Sequence, residues 1–186
     1  MTRQETGKSK KNGNLGNFMG KYIQHPSVQR VVAALSTAGH TEDVIELEET
    51  ARSAEEAAKA LGVEVGAIVK TLIFKLKSEV SDTPVAALVS GDRRCSTKAL
   101  SRLSRIEGKC IRPDADEVKT ITGYSIGGVS PVGLPSTLTV LMDVMLNRYE
   151  TVWAAAGHPH CVFPISFSEL QRLTNATVSD QVSEPL

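Results

Sequence analysis

Hydrophobic positions along the chain change period several times, and each change marks an element. After His25-Pro26-Ser27, Val28, Val31, Val32 and Leu35 recur at helical spacing and Gly39 follows as a stop, which predicts a helix. A second helix follows Ser53, whose partner Glu56 completes a capping box, and Ala-rich turns carry it to Gly62. Residues 67–76 (AIVKTLIFKL) are β-branched and bounded by turn signals, so they are predicted as a strand, as are residues 85–90 before Gly91-Asp92. Ser96 can cap a helix running through Leu103, residues 109–112 form a short strand, and Asp114 with Glu117 caps a helix ending at Gly123. The pattern then turns to strands at residues 138–142, 151–156 and 161–165, and Ser166 or Ser168 opens a last helix. Helices and strands interspersed, then consecutive strands, indicate an α+β fold rather than a doubly wound sheet. Residues 1–20 are rich in Lys, Gly, Asn and Ser, so a flexible basic tail is expected over 1–24, followed by one domain over 25–186.

Composition narrows the class. The chain has 186 residues, 41% hydrophobic and 23% charged, which excludes a wholly disordered chain, a coiled coil and a collagen. No run of ~18 apolar residues predicts a membrane helix, and no apolar signal-peptide core is visible, so a cytoplasmic location is expected. Three cysteines without CxxC spacing argue against a disulfide framework or zinc ribbon. Aromatics at 4% argue against a stacking platform for single strands. Formal net charge is zero but unevenly spread. The acidic residues Glu42, Asp43, Glu46, Glu48, Glu49, Glu55, Glu56 and Glu64 face only Arg52 and Lys59 within residues 42–64. Residues 93–112 reverse the sign with Arg93, Arg94, Lys98, Arg102, Arg105, Lys109 and Arg112 against Glu107. Such a segment suits either a solvated helix face or local contact with a polyanion, for which Arg93, Arg94, Lys98 and Arg102 are the candidates.

Four features could carry chemistry. Lys70 shares a strand face with Ile68, Leu72 and Phe74, so it either snorkels to water or meets an anion, while Lys75 and Lys77 read as surface lysines. The loop Thr122-Gly123-Tyr124-Ser125-Ile126-Gly127-Gly128-Val129-Ser130-Pro131-Val132-Gly133 is either a structural turn or a set of close backbone donors for an oxyanion. Asp143, in the apolar run TVLMDVML, needs a donor, which can be purely structural. Ala154-Ala155-Ala156-Gly157 leaves room for a ligand or a packed element; His158 and His160 share a face but lack a third metal ligand, so no metal and no cofactor are expected. No serine triad is readable, and nothing marks Cys110 as an activated nucleophile.

With these motifs in this order, residues 27–180 resemble the YbaK/prolyl-tRNA-synthetase-associated domain family of free-standing aminoacyl-tRNA deacylases. The resemblance is carried by Leu61-Gly62, Ile68-Val69-Lys70-Thr71-Leu72, Thr122 to Gly133, Asp143 and Ala156-Gly157. It implies a compact domain with a mixed, largely antiparallel curved sheet surrounded by helices. It implies trans-editing: hydrolysis of the ester joining a wrong amino acid to the 3′ end of a tRNA, a proline tRNA first among them. Lys70, Gly127, Gly128 and Asp143 would be the catalytic set, acting on water helped by the substrate's own ribose hydroxyl. The partners implied are the aminoacyl-tRNA 3′ end and prolyl-tRNA synthetase. Ser130, Ala155, Gly157 and Ile45 would contact substrate. Cysteine-specific members carry a tyrosine near the position of Ile45, and Ser-Gly-Gly where this chain has Ala155-Ala156-Gly157, so alanine, serine or threonine is the expected amino acid. A non-catalytic aminoacyl-tRNA or synthetase-binding module, and a small-molecule esterase, are the competing readings.

Overall fold

The computed structural model describes residues 20–186. Ten strands and five α-helices follow in the order α1 (Pro26–Thr37), β1 (Ile45–Glu46), α2 (Ala54–Leu61), β2 (Ile68–Lys77), β3 (Asp82–Ser90), β4 (Arg93–Cys95), α3 (Thr97–Ser104), β5 (Lys109–Ile111), α4 (Ala115–Thr122), β6 (Thr139–Asp143), β7 (Val152–His158), β8 (Cys161–Ile165), α5 (Phe167–Thr174), β9 (Thr177–Ser179) and β10 (Ser183–Pro185). An eight-stranded mixed sheet runs β1-β8-β7-β2-β3-β6-β9, with β5 also on β2, and a separate ribbon joins β10 to β4. The fold is therefore mixed α+β. The β2–β3, β2–β5, β7–β8 and β1–β8 pairs are antiparallel, whereas β2–β7, β3–β6 and β6–β9 are parallel.

The central strands are covered on both faces, which is why β3 reads as an unbroken apolar run. On one face Val69, Ile73, Ala86, Leu88, Val140 and Met142 join a core containing residues of α1, α4 and α5. On the other, Phe74, Leu76, Val85, Ala87, Val89 and Leu141 pack with Leu100 of α3 and with Val182. Alternation along each strand thus supplies both layers at once. Helix starts follow the local code: Ser53 with Glu56 and Asp114 with Glu117 both close capping boxes. Ser96 precedes α3, as expected, but its hydroxyl makes no capping hydrogen bond.

Two expectations change. Most of the tail predicted over 1–24 lies outside the described residues. Its last part is folded: Tyr22 and Ile23 donate their backbone N–H groups to Glu46 Oε2 at 2.8 and 3.2 Å, and both side chains pack on the core. Lys75 is not an ordinary surface lysine. Its side chain is 14% exposed and its ammonium pairs with Glu117 and, at 3.3 Å, with Asp82.

Candidate functional site

Strand β2 is paired with β3 along nearly its whole length, from Val69 to Lys77. Its opposite edge is shared. The parallel strand β7 pairs only with Ile68 and Val69, and β5 pairs only from Lys75 to Lys77. Between them, over residues 70–74, the backbone groups facing away from β3 have no strand partner among the described residues. A cleft of about 400 Å³ opens along this gap, bounded by the start of α2, residues 126–129 after α4, and β7 with β8. Much of its wall is apolar, including Ile68, Leu72, Trp153 and Val162. A buried amide or carbonyl without a partner costs free energy, so an open strand edge inside a half-enclosed cleft is a ready-made recognition surface.

Lys70 stands at this gap, half-buried, on the face shared with Leu72 and Phe74. Its ammonium donates to the Arg93 carbonyl. Desolvation lowers its pKa below the usual lysine range, against the opposing pull of Glu55, Asp92, Cys95 and Asp143. Gly127 borders the cleft with φ +88°, a conformation that favours glycine. The loop carrying it is locked from beneath. Tyr124 is fully buried, its hydroxyl donates to the Val132 carbonyl at 2.8 Å, and the Arg30 guanidinium stacks 3.8 Å from its ring centroid. Ala155 also lines the cleft, as the small-residue strand suggested.

Other expected site residues lie elsewhere. Gly128 N–H donates to the Ser125 carbonyl at 3.0 Å, so it is not free to polarise an ester. A Cβ on Gly128 would fall 2.9 Å from the His158 backbone; the residue is a close-packing point. Asp143 is fully buried outside the cleft lining: Oδ2 accepts from Ser90 N–H at 3.3 Å and Oδ1 from Met145 N–H at 3.0 Å, and Arg93 Nε lies 3.9 Å from Oδ2. Its donors are structural, at the end of β6. Beyond its through-space pull on the ammonium, Asp143 bears on Lys70 by helping to seat Arg93, whose carbonyl accepts from the lysine. Ser130 is fully buried, and its Oγ accepts from Val132 N–H at 3.2 Å within the loop. Gly157 packs against α1, where a Cβ would meet the Ser27 carbonyl at 2.6 Å. Ile45 pairs with Val162 across β1 and β8 and does not line the cleft.

The basic segment divides as well. Arg93 Nε donates to Ser183 Oγ at 2.6 Å, Arg94 pairs with Glu184 at 2.9 Å, and Arg102 donates to Gln181. Lys98 is exposed. The cation of this segment that reaches the cleft is Arg112, 5.7 Å from the Phe74 ring centroid. Sequence reasoning missed Arg112, Arg52, Glu55 and Trp153 as lining residues. The uneven charge was the only signal that could have pointed to the first three.

The thiols are poor nucleophiles. Burial pushes Cys95 and Cys161 up to about 12 and raises Cys110. The arrangement offers one ammonium, unpaired backbone groups and a mostly apolar wall. Such a site can position an ester and stabilise charge on its carbonyl while water attacks.

A family model described as an aminoacyl-tRNA editing domain matches residues 48–173. Among curated relatives, YwhH of Bacillus subtilis (strain 168) is 30% identical over 136 residues, covering 73% of this chain and 83% of that one. A proline–tRNA ligase of Thermoanaerobacter sp. (strain X514) is 39% identical over 93 residues, which is 50% of this chain but 16% of the ligase. Among solved structures, a proposed trans-editing enzyme for prolyl-tRNA synthetase superposes with a TM-score of 0.76 at 41% identity, covering 86% of this chain and 98% of that one.

Proposed function

Because the chain belongs to the aminoacyl-tRNA editing domain family, and so is an aminoacyl-tRNA deacylase serving translation fidelity, we propose that it acts on proline tRNA carrying alanine, serine or threonine. The observation that carries this reading is Lys70, a half-buried ammonium in a largely apolar cleft beside an unpaired strand edge. In the proposed reaction, water adds to the ester carbonyl and the ribose 3′ oxygen departs, taking up a proton. The tetrahedral intermediate carries its negative charge on the former carbonyl oxygen, where Lys70 and backbone N–H groups of β2 or Gly127 are the available donors. The substrate's ribose hydroxyl assists the water, so no side-chain nucleophile is needed. In this reading the apolar lining residues Ala57, Trp153, Ala155 and Val162 form the recess for the amino acid side chain. Such a recess separates a methyl from a hydroxyl only weakly, so several small amino acids are accepted. In this reading the protein works in the cytoplasm, alone or beside prolyl-tRNA synthetase.

The test is a deacylation panel. Proline tRNA and the cognate tRNAs are charged with alanine, serine, threonine, cysteine or proline, then incubated with wild type and Lys70→Ala. Turnover of one to three small amino acids on proline tRNA, reduced about 10²–10³-fold by Lys70→Ala, is the expected result. Cysteine alone as substrate would overturn the specificity. Full activity in Lys70→Ala would remove the lysine from the mechanism. Binding without turnover of any ester would make the chain a binding module.

A further inference from the structure

Among the described residues, the charges lining the cleft are Arg52, Lys70 and Arg112, with Glu55 as the single carboxylate. The neighbouring acids Glu56, Asp92 and Asp143 do not line the cleft and have partners of their own. Glu56 Oε2 accepts from Arg52 N–H at 2.7 Å and Ser53 N–H at 3.2 Å. Asp92 is gripped by Arg148 at 2.7 and 2.9 Å, and Asp143 is buried on backbone N–H groups. Glu55 is exposed on the first turn of α2, and none of the ion pairs among the described residues uses it. Its carboxyl is held below the usual range by its own backbone N–H and by the Ser53 hydroxyl, with Lys70 adding to the pull.

An aminoacyl ester brings the opposite problem. Its α-amino group is largely protonated near neutral pH, so it enters as a cation. Placed among Arg52, Lys70 and Arg112 without a counter-charge, it would be repelled. We propose that Glu55 receives the α-ammonium of the ester, so that the cleft prefers an amino acid ester over an ester of the same shape without that charge. The three cations remain for the anionic parts, the developing oxyanion and the phosphate of the tRNA end. Glu55 is thereby a specificity-determining residue, and this assignment rests on the deacylase reading above.

The experiment uses the aminoacyl-tRNA turned over in the panel and the α-hydroxy ester made from it by deamination, which for alanine is lactyl-tRNA. Wild type, Glu55→Gln and Glu56→Gln are compared by kcat/KM on both. Wild type is expected to favour the amino ester at least tenfold. Glu55→Gln slows the amino ester about 10- to 100-fold, the scale of one charge-assisted hydrogen bond, and leaves the hydroxy ester within about twofold. Glu56→Gln, whose side chain meets only the backbone N–H groups of Arg52 and Ser53 ahead of α2, keeps the wild-type preference. A Glu55→Gln enzyme that keeps that preference, or slows both esters equally, overturns the proposal while wild type remains active. Wild type inactive on every ester overturns the deacylase reading itself, and Glu55's role with it.

Discussion

Replacing Asp143 with asparagine separates the two roles open to this residue. The carboxylate is fully buried and bridges the ends of β3 and β6 through Ser90 N–H and Met145 N–H. Asparagine keeps one oxygen but turns an amide NH₂ toward a backbone N–H, so one bond is lost and a donor faces a donor. A hydrogen bond to a charged acceptor contributes about 1.5–3 kcal/mol, and the weakened tie to Arg93 adds to the loss. The expected destabilisation is about 2–4 kcal/mol, a large fraction of the roughly 5–15 kcal/mol that holds an ordinary domain together. Urea unfolding followed by far-UV circular dichroism reads it directly. With a slope of about 2 kcal/mol/M, the midpoint falls by about 1–2 M. Deacylation per folded molecule, measured without denaturant, should fall less than tenfold because Asp143 does not line the cleft. An unchanged midpoint with a loss of about a hundredfold or more in activity would refute the reasoning and return Asp143 to the chemistry.

Lys70→Met should leave stability equal or higher near neutral pH, since a desolvated ammonium is removed. The sign follows from its lowered pKa: the unfolded chain binds the proton more tightly, so Lys70 costs stability below its folded pKa. The advantage of Lys70→Met, read by unfolding at several pH values, should therefore shrink as pH rises toward 10.5. Asp92→Asn removes a carboxyl whose pKa is lowered chiefly by Arg148, so its contribution is present above pH 3.8 and lost as pH falls through the folded value. The variant should be less stable than wild type at neutral pH and converge on it in acid titrations. Gly128→Ala should cost about 1–3 kcal/mol in thermal unfolding and lower activity, because the added methyl meets the His158 backbone, which cannot give way like a side chain. Wild-type stability in that variant would show that the loop does not rest on β7.

The helices and long strands were legible because their causes are local. The boxes at Ser53 and Asp114, and the alternation that fills both faces of β2 and β3, need no knowledge of distant partners. Strands β1, β4, β9 and β10 are two or three residues each, too short for a period, and exist only through their pairings. The same divide runs through the site. Lys70 was legible as a charge on an apolar strand face. Asp143 gave an equal cue, yet burial on backbone donors and burial beside a ligand look alike in sequence. Glu55, Arg52 and Arg112 were visible only as members of charged runs, because their meeting depends on how α2, β2 and the end of β5 converge.

The gap in the sheet explains why Gly128 matters without touching the cleft. Strand β7 leaves β2 after Val69, and between Ala155 and His158 its register with β8 shifts, an irregularity of the kind often found next to active sites. The loop after α4 presses onto the residues of this shift, and Gly128 permits the approach because it has no Cβ. That contact carries Gly127 to the cleft, with Arg52 and Pro159 beside it. On the far side β5 begins pairing at Lys75 and closes the gap. The open edge of residues 70–74 is thus framed by two interruptions of pairing, one at each end. A continuous sheet would have satisfied those backbone groups and closed the cleft beside Lys70. The site is therefore a property of where pairing stops.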